Sequence, residues 1–220
     1  MKTILVLVGV LILLGIIAMA VFVFVVQNVE TPAYAVVAAD GAYEIRDYPA
    51  LVVAEVEPVG DRREALRAGF GPLARYIFAK ERGGESIAMT APVIQQRPIG
   101  VEERIAMTAP VTQSPGESGR WTVRFIMPAG YRLEDLPAPG RAEVRLTEIP
   151  AARRAVVRFS GSTDDAVLAT RERALRDWMT ERGLVVDGPP IYAYYNDPFT
   201  PGFLRRNEVM LGIAGDSFGP

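Results

Sequence analysis

Residues 43–77 contain two strand patterns and then a helix pattern, YEIRDYPALVVAEVEPVGDRREALRAGFGPLARYI. Residues 43–46 alternate apolar and charged side chains with a period of two, which is typical of a half-buried strand. The strand signal continues after Pro49 over residues 51–57. This stretch therefore predicts a strand signal that continues past Pro49 and leads directly into a helix.

The helix pattern begins with a capping signal, because Asp61 is followed three residues later by Glu64. Apolar residues then recur at helical spacing: Leu66, Phe70, Leu73 and Ile77. Pro72 interrupts this stripe, so the helix either kinks there or restarts at that residue. The glycine pair at Gly83 is predicted to end it.

A tandem repeat follows the helix, since residues 87–93 read IAMTAPV and residues 105–111 repeat them. Two copies so close together are too few for a solenoid. The simplest interpretation is a hairpin of two similar strands that turns at residues 97–103. One face of the next predicted strand carries Trp121, Val123, Phe125 and Met127.

The second half of the chain repeats this order of elements. Strand patterns at 142–149 and 155–159 precede Ser162, which is predicted to be the N-cap of a helix with Asp165 at the N3 position. The buried face of that helix is predicted to consist of Leu168, Leu175, Trp178 and Met179, and Gly183 to end it.

Strand patterns at 191–195 and 208–213 complete the second half. Each half is therefore predicted to be a β-α-β-β unit. Two such units pack as an α+β domain, in which one antiparallel sheet carries both helices.

The N-terminal segment differs sharply from the rest, because residues 4–26 read ILVLVGVLILLGIIAMAVFVFVV without a charged side chain. At ~1.5 Å rise per residue the segment would extend over roughly 34 Å, which is enough to cross a bilayer. The sequence therefore predicts a transmembrane anchor at residues 1–28 and a single domain at residues 29–220.

A cleaved signal peptide is the alternative, because residues 33–35 resemble a small-x-small processing site. The apolar stretch exceeds the ~7–15 residues of the apolar h-region of a signal peptide, which favours the anchor. Lys2 precedes the span, so the domain is predicted to lie on the extracytoplasmic side of a bacterial inner membrane.

Composition excludes several kinds of site. The chain has no Cys and no His, so it lacks thiolate nucleophiles, zinc-thiolate sites, His-based triads and His-ligated haem. The formal net charge of −2 argues against a nucleic-acid partner. Carboxylates, Tyr, Lys, Arg and Met remain for site chemistry, and nothing in the sequence indicates the oligomeric state.

Several segments, in order, resemble the SOUL haem-binding family. They are residues 29–32, 43–48, 87–93, 105–111, 194–201 and 205–209. The resemblance implies a duplicated βαββ fold with a distorted barrel-like sheet and two helices, similar to bacterial effector-binding domains. It also implies tetrapyrrole binding in an apolar cleft. Cleavage after Ala35 would remove the first of these segments, which favours a retained anchor.

The sequence departs from a His-ligated haem site, since it has no imidazole to offer. Covering on the order of 500 Å² of a planar macrocycle at ~25 cal/mol/Å² contributes roughly 12 kcal/mol. Association opposes this with ~4–15 kcal/mol, so micromolar binding without an iron ligand is feasible. Met89 and Met107, at equivalent repeat positions, are candidate thioether ligands, or they fill gaps in the core.

Aromatic residues supply further candidates for the cleft. Alternation places Tyr192 and Tyr194 on one face of their strand and Tyr195 on the other. These tyrosines either contact a ligand or pack in the core with hydrogen-bonded hydroxyls. Tyr76 and Phe78, at the end of the first helix, are predicted to be core or pocket wall.

Glu208 is the most informative carboxylate, because it begins an apolar strand where an unpaired charge would be costly. In one interpretation Glu208 pairs with Arg205 or Arg206. In the other it lies in the cleft, where it binds a cationic ligand or acts as a general acid/base.

Three functions follow from these observations. The leading one is a membrane-anchored, non-enzymatic protein that binds haem or a related porphyrin. The main alternative is a receptor for hydrophobic or cationic small molecules on the same fold. A carboxylate-dependent hydrolase with Glu208 as its acid/base is the third.

Overall fold

The computed structural model describes residues 4, 6–10, 12–15, 17, 29–98, 119–197 and 199–215. Their elements, in chain order, are β1 (Ala35–Asp40), β2 (Tyr43–Tyr48), β3 (Leu51–Val56), α1 (Arg62–Ile77), β4 (Val93–Gln96), β5 (Thr122–Ile126), β6 (Arg145–Ile149), β7 (Ala152–Phe159), α2 (Asp165–Glu181), β8 (Val186–Tyr194) and β9 (Asn207–Ile213). Short 3₁₀ helices lie at Leu133–Asp135 and Gly202–Leu204. The predicted α+β class is confirmed.

The strands form one sheet in the order β1-β2-β7-β9-β8-β4-β5-β3-β6, and the strand pairs within it are antiparallel. The order β7-β9-β8 in the second half mirrors β4-β5-β3 in the first, and the pairing of β8 with β4 joins the halves. This mirrored order fits the predicted duplication. In the described residues the sheet is open rather than a closed barrel, with β1 and β6 at its edges.

Both helices cover the same face of the sheet. Helix α1 packs on β3 and β5, where Leu73 and Ile77 meet Val123 and Phe125 in one apolar cluster. Gly69 permits this approach, since a Cβ there would lie 2.8 Å from the Val123 side chain. Helix α2 packs on the strands of the second half, and its buried residues are the four predicted ones: Leu168, Leu175, Trp178 and Met179.

Helix α1 starts as its capping box predicts. The Asp61 side chain accepts from the Glu64 amide at 2.8 Å, and the Glu64 side chain accepts from the Asp61 amide at 3.3 Å. Pro72 lies inside a single helix. The helix ends at Ile77 rather than at Gly83, because the chain turns at Ala79, whose φ is 52°.

The start of α2 corrects the sequence analysis, since Asp164 and not Ser162 is the N-cap. The Ser162 hydroxyl accepts from the Asp164 amide at 3.1 Å and thus stabilises the turn before the helix. Gly183 adopts a φ of +67° just after the helix, as predicted for its end.

Two strand predictions also need correction. Residues 35–40 form strand β1, paired with β2, where the sequence analysis predicted no strand. Residues 87–92 contain no extended strand, and β4 begins only at Val93, which ends the first repeat copy. The second copy, residues 105–111, and most of the predicted turn lie outside the described residues.

The prediction of a single-pass membrane protein is wrong. In the N-terminal segment, residues 4, 6–10, 12–15 and 17 are helical. No helix among the described residues is both long and apolar enough to cross a membrane, for which ~20 residues are needed. The predicted extracytoplasmic orientation depended on that span and is withdrawn with it. Residues 18–28 of the predicted anchor lie outside the described part.

Candidate functional site in the inner face of the sheet

The sheet face opposite the helices, here called the inner face, has its own apolar cluster. Its buried members are Tyr48, Val53, Ala91, Ile94, Ile126, Val156, Ile191, Ala193, Tyr195 and Met210. These residues come from both halves of the chain, and they alternate along their strands with the residues that face the helices. The inner face therefore carries an apolar cluster that no helix of the described residues covers.

A cavity of about 530 Å³ opens on this face. Its volume lies within the ~300–1,000 Å³ typical of ligand sites. Its aliphatic lining consists of Leu51, Ile94, Ile126, Ile149, Ile191, Met210 and Ile213. Tyr48 and Tyr195 add aromatic surface. The cavity thus combines an apolar floor with room for a ligand.

An irregularity in β8 shapes the rim of the cavity. The register between β8 and β9 shifts between Asp187 and Ile191, and Gly188 in that interval has a φ of +72°. Opposite it, Gly212 on β9 lies so close that a Cβ would be 2.5 Å from the Asp187 carbonyl oxygen. Glycine is therefore required on β9 where the bulge touches that strand.

Glu208 lies at one end of the inner face and is saturated with hydrogen bonds. Its Oε1 accepts from Arg46 Nη2 at 3.1 Å and from Arg206 Nε and Nη2 at 2.9 and 2.8 Å. Its Oε2 accepts from Arg46 Nη1 at 2.9 Å and from the Tyr195 hydroxyl at 2.8 Å. Arg46 also donates to Glu44 at 2.6 Å, so two carboxylates balance two guanidiniums. We call these five residues the Glu208 network.

Burial and charge perturb the groups of this network. Burial raises the pKa of the Tyr195 hydroxyl, and the charge of Glu208 raises it further. Burial alone would lower the pKa of Arg46, but its hydrogen bonds and attraction to Glu208 raise that pKa above the ordinary value. Burial raises the pKa of neighbouring Tyr48 to about 12, against the opposing charge of Arg46. At neutral pH the Tyr195 and Tyr48 hydroxyls therefore stay protonated and Arg46 stays charged.

Three arginines on the polar wall of the cavity differ in their hydrogen-bond partners. Arg124 donates to Glu55 at 2.8 Å and to Gln96 at 3.0 Å. Arg153 donates to Asp47 at 2.7 and 2.9 Å. Arg154 also lines the cavity.

A second cavity of about 490 Å³ lies on the helix side, between the starts of α1 and α2. It is lined by Arg62, Arg97, Trp121, Asp165 and Tyr192, among others. Its wall includes both flanks of the undescribed stretch 99–118. Its lining is more charged and less apolar than that of the inner face, which makes it the weaker candidate for a hydrophobic ligand.

The predicted faces of the β8 tyrosines are confirmed. The Tyr192 hydroxyl donates to Glu172 at 3.2 Å. The Tyr194 oxygen accepts from Arg62 at 2.8 Å, and its hydroxyl donates to Gln95 at 3.3 Å. Both rings belong to the helix side, so neither lines the inner-face cavity.

The other described candidates, apart from Glu208, also lie away from that cavity. Tyr76 is buried in the last turn of α1, and its hydroxyl donates to the Pro137 carbonyl at 2.9 Å. Phe78 and Met89 are exposed to 47% and 36%. Met107 lies outside the described residues. Their contact with a ligand stays a prediction.

Sequence reasoning identified Glu208 and the partner Arg206 but missed the second partner, Arg46. Arg46 lies in the alternating pattern of residues 43–46, at a charged position that the pattern assigns to the solvent side. Sequence reasoning also missed Arg154, the Cα partner of Arg46 on β7. No local pattern marks Arg154, because β7 does not alternate polar and apolar residues.

No group of His, Cys, Asp or Glu within the described residues could hold a metal ion. Groups suited to an organic ligand are the aliphatic floor, the rings of Tyr48 and Tyr195 and the guanidinium of Arg154. This set fits an apolar molecule that carries a polar or charged substituent.

Residues 29–212 match the family model described as SOUL heme-binding protein. "Heme-binding protein 2" of Mus musculus is 28% identical over 173 residues, which cover 78% of each chain. "Heme-binding protein 2" of Homo sapiens is 28% identical over 191 residues, which cover 84% of this chain and 86% of that protein.

Two solved structures have a similar fold. The EcmrR C-terminal domain has a TM-score of 0.54 at 12% identity, over 78% of this chain and 96% of that one. A hydrolase from Listeria innocua has a TM-score of 0.52 at 14% identity, over 81% of this chain and 94% of that one. At such low identity they establish the fold alone.

Proposed function

The chain belongs to the SOUL heme-binding protein family, and from that premise we propose that it binds haem or a related tetrapyrrole in the inner-face cavity, as a binding protein rather than an enzyme. The observation that carries the proposal is the aliphatic floor of a cavity of about 530 Å³ on a sheet face that no helix of the described residues covers. A planar macrocycle is the kind of ligand that such a floor favours.

Burial of apolar surface supplies the affinity. Leu51, Ile94, Ile191 and Met210 offer side chains from four strands of the sheet. On the order of 500 Å² of covered macrocycle contributes roughly 12 kcal/mol at ~25 cal/mol/Å². After the ~4–15 kcal/mol cost of association, this is compatible with micromolar binding.

The proposed binding does not use an imidazole ligand, because the sequence contains no His. Tyr48 and Tyr195 line the cavity, but their raised pKa values oppose formation of a phenolate. Met210 contributes a thioether among the lining residues. The chain would therefore hold the macrocycle mainly by enclosing its faces and excluding water from them.

The saturation of Glu208 argues against the two alternative functions. A cation receptor needs a carboxylate whose charge is available, whereas Arg46 and Arg206 already neutralise Glu208. An acid/base catalyst needs free access to substrate, whereas both oxygens of Glu208 accept hydrogen bonds and its side chain is fully buried.

Titration of the full chain with haemin tests the proposal. We expect a saturable Soret change at micromolar concentrations, with a spectrum unlike that of bis-His haem. Absence of any saturable change up to tens of micromolar would refute the proposal.

A matched pair of variants locates the site. Leu51→Trp adds bulk to the cavity wall, so we expect it to weaken haemin binding at least tenfold. Leu66→Trp adds the same bulk at a half-buried position on α1, outside the cavity, and should leave binding unchanged. Equal binding by both variants would place the ligand elsewhere on the molecule.

A further inference from the structure

Arg154 has an unusual position on the inner face. It lies on β7, with Arg46 as its Cα partner on β2 and Gly212 as its Cα partner on β9. Its side chain is half-buried and lines the cavity. Because Gly212 has no side chain, one flank of Arg154 meets no neighbouring group from β9.

The other guanidiniums around Arg154 are committed to protein carboxylates. Arg46 is bonded to Glu208 and Glu44, and Arg124 is bonded to Glu55. No described residue, by contrast, accepts a hydrogen bond from Arg154 or forms an ion pair with it. Arg154 is therefore a cavity-lining cation that the described part of the chain leaves without a bonded partner.

An unpaired charge in a half-buried position is energetically unfavourable. Burial lowers the pKa of Arg154, and the nearby charge of Arg124 lowers it further, while Tyr48 and Asp187 oppose the change. An arginine nevertheless remains protonated at neutral pH. The cavity therefore contains a fixed positive charge that an anion could compensate.

Two carboxylates lie at the rim. Asp187 is paired in register with Gly212, and Glu148 lines the opposite edge of the cavity. Both side chains are exposed to solvent, which weakens their attraction for the guanidinium. They do not replace a bonded anion at Arg154.

We propose that Arg154 is the anion-binding residue of the inner-face cavity, and that the cavity selects an amphipathic ligand with a carboxylate over its neutral or cationic analogues. This inference rests on the proposed function, since it assumes that the inner-face cavity is the ligand site. The apolar part of such a ligand lies on the aliphatic floor, and its carboxylate accepts paired hydrogen bonds from the guanidinium.

Haemin and its dimethyl ester provide the test, because they share a macrocycle but only haemin carries carboxylates. We expect the full chain to bind haemin about tenfold more tightly than the ester, the difference typical of one charge-assisted contact. Arg154→Met should bind haemin about tenfold more weakly and the ester without change. Equal affinity of the unmodified chain for the two ligands would overturn the inference and leave the proposed function intact.

Two further variants keep the test sharp. Arg158→Met removes an exposed guanidinium from the same strand and should preserve the preference for haemin. Asp187→Asn removes a competing carboxylate from the rim and should tighten haemin binding about twofold without affecting the ester. If Asp187→Asn changes the affinity for both ligands equally, the charge of the cavity does not select between them and the inference fails.

Failure of haemin to bind would refute the proposed function but not, by itself, this inference. Thermal unfolding with dodecanoate then decides. Stabilisation of the unmodified chain that disappears in Arg154→Met would support an anion-selective cavity. A lack of stabilisation by dodecanoate would overturn it.

Discussion

Arg46 and Arg154 are Cα partners on adjacent strands of the inner face, yet their environments differ completely. The guanidinium of Arg46 is 1% exposed and bonds to two carboxylates and to the Tyr48 oxygen. Arg154 lines an open cavity, and the described residues offer it no bonded partner. Of these two arginines on the same face, Arg46 thus has carboxylate partners in the fold, whereas Arg154 has none among the described residues.

This difference separates a structural charge from a binding charge. The Glu208 network is closed on itself: its charges cancel and its acceptors are occupied. Arg154 places a positive charge beside apolar surface, and no described residue supplies a bonded anion to compensate it. Buried charge alone therefore does not mark a binding site, and what matters is whether the fold already supplies the partner.

The largest expected effect comes from Arg46→Met. The substitution leaves Glu208 buried with a single guanidinium partner, and removal of one member of a buried ion pair typically costs about 3–5 kcal/mol. We expect a loss of that size in the free energy of unfolding, measured by urea denaturation. Arg176→Met, which removes a surface i,i+4 pair with Glu172, should lose only about 0.3–0.5 kcal/mol. Equal losses in the two variants would contradict a special role of the network.

The second largest effect is expected on the free energy of unfolding at alkaline pH. It concerns Tyr48, which contacts Arg46 and also lines the cavity. Tyr48 has its pKa raised to about 12, whereas a free tyrosine ionises near 10. A raised pKa contributes stability that is complete below pH ~10 and is lost as pH rises towards 12, by up to about 3 kcal/mol.

The absorbance change of phenolate at high pH measures this directly. The difference between the titrations of the unmodified chain and Tyr48→Phe isolates one hydroxyl. We expect its midpoint near pH 12. A midpoint near 10 would show that Tyr48 is not desolvated by the inner face.

Tyr195→Phe should have a smaller effect. It removes one of the hydrogen bonds to Glu208 Oε2 and leaves Arg46 Nη1 in place. A hydrogen bond to a charged group typically contributes about 1.5–3 kcal/mol, and we expect a loss at the lower end of that range in urea denaturation. Tyr43→Phe is the control, since Tyr43 contacts Trp178 by ring stacking. A loss as large in Tyr43→Phe would argue against the hydrogen bond as the cause.

The smallest stability effect is expected for Arg154→Met, the counterpart of the first variant. Its free energy of unfolding should be unchanged or slightly higher, because the substitution removes a half-buried charge without breaking a bond to a described residue. Urea denaturation without ligand measures it. A loss similar to that of Arg46→Met would mean that Arg154 is structural after all.

The sequence predicted the elements better than it predicted the site, and the reason is the range of the interactions. The capping box of Asp61 and Glu64 and the faces of Tyr192, Tyr194 and Tyr195 depend on neighbours along the chain, so local periodicity revealed them. Ser162 and Asp164 are both residue types that favour the N-cap. Asp164 takes that position because the Ser162 hydroxyl is used in the turn before the helix.

The Glu208 network depends on strand order instead. Arg46 and Glu208 are 162 positions apart. Their side chains meet because β2 and β9 both pair with β7, which brings the two strands close together in the sheet. Spacing cannot reveal such a contact. The environment of Arg154 was hidden for the same reason, since its lack of a partner follows from which strands surround it. The N-terminal segment shows the converse, because apolar composition alone was taken as a membrane span.

The pairing of β8 with β4 has a consequence for how the chain folds. Helices α1 and α2 form from contacts between residues that are close in the sequence. The floor of the cavity, by contrast, exists only after Tyr194 and Gln95, 99 positions apart, have come together. Closing such a distance costs chain entropy before any contact repays it, which makes it a slow, late step. A ligand on the inner face would therefore bind only chains that have completed this step, and its binding would slow their unfolding.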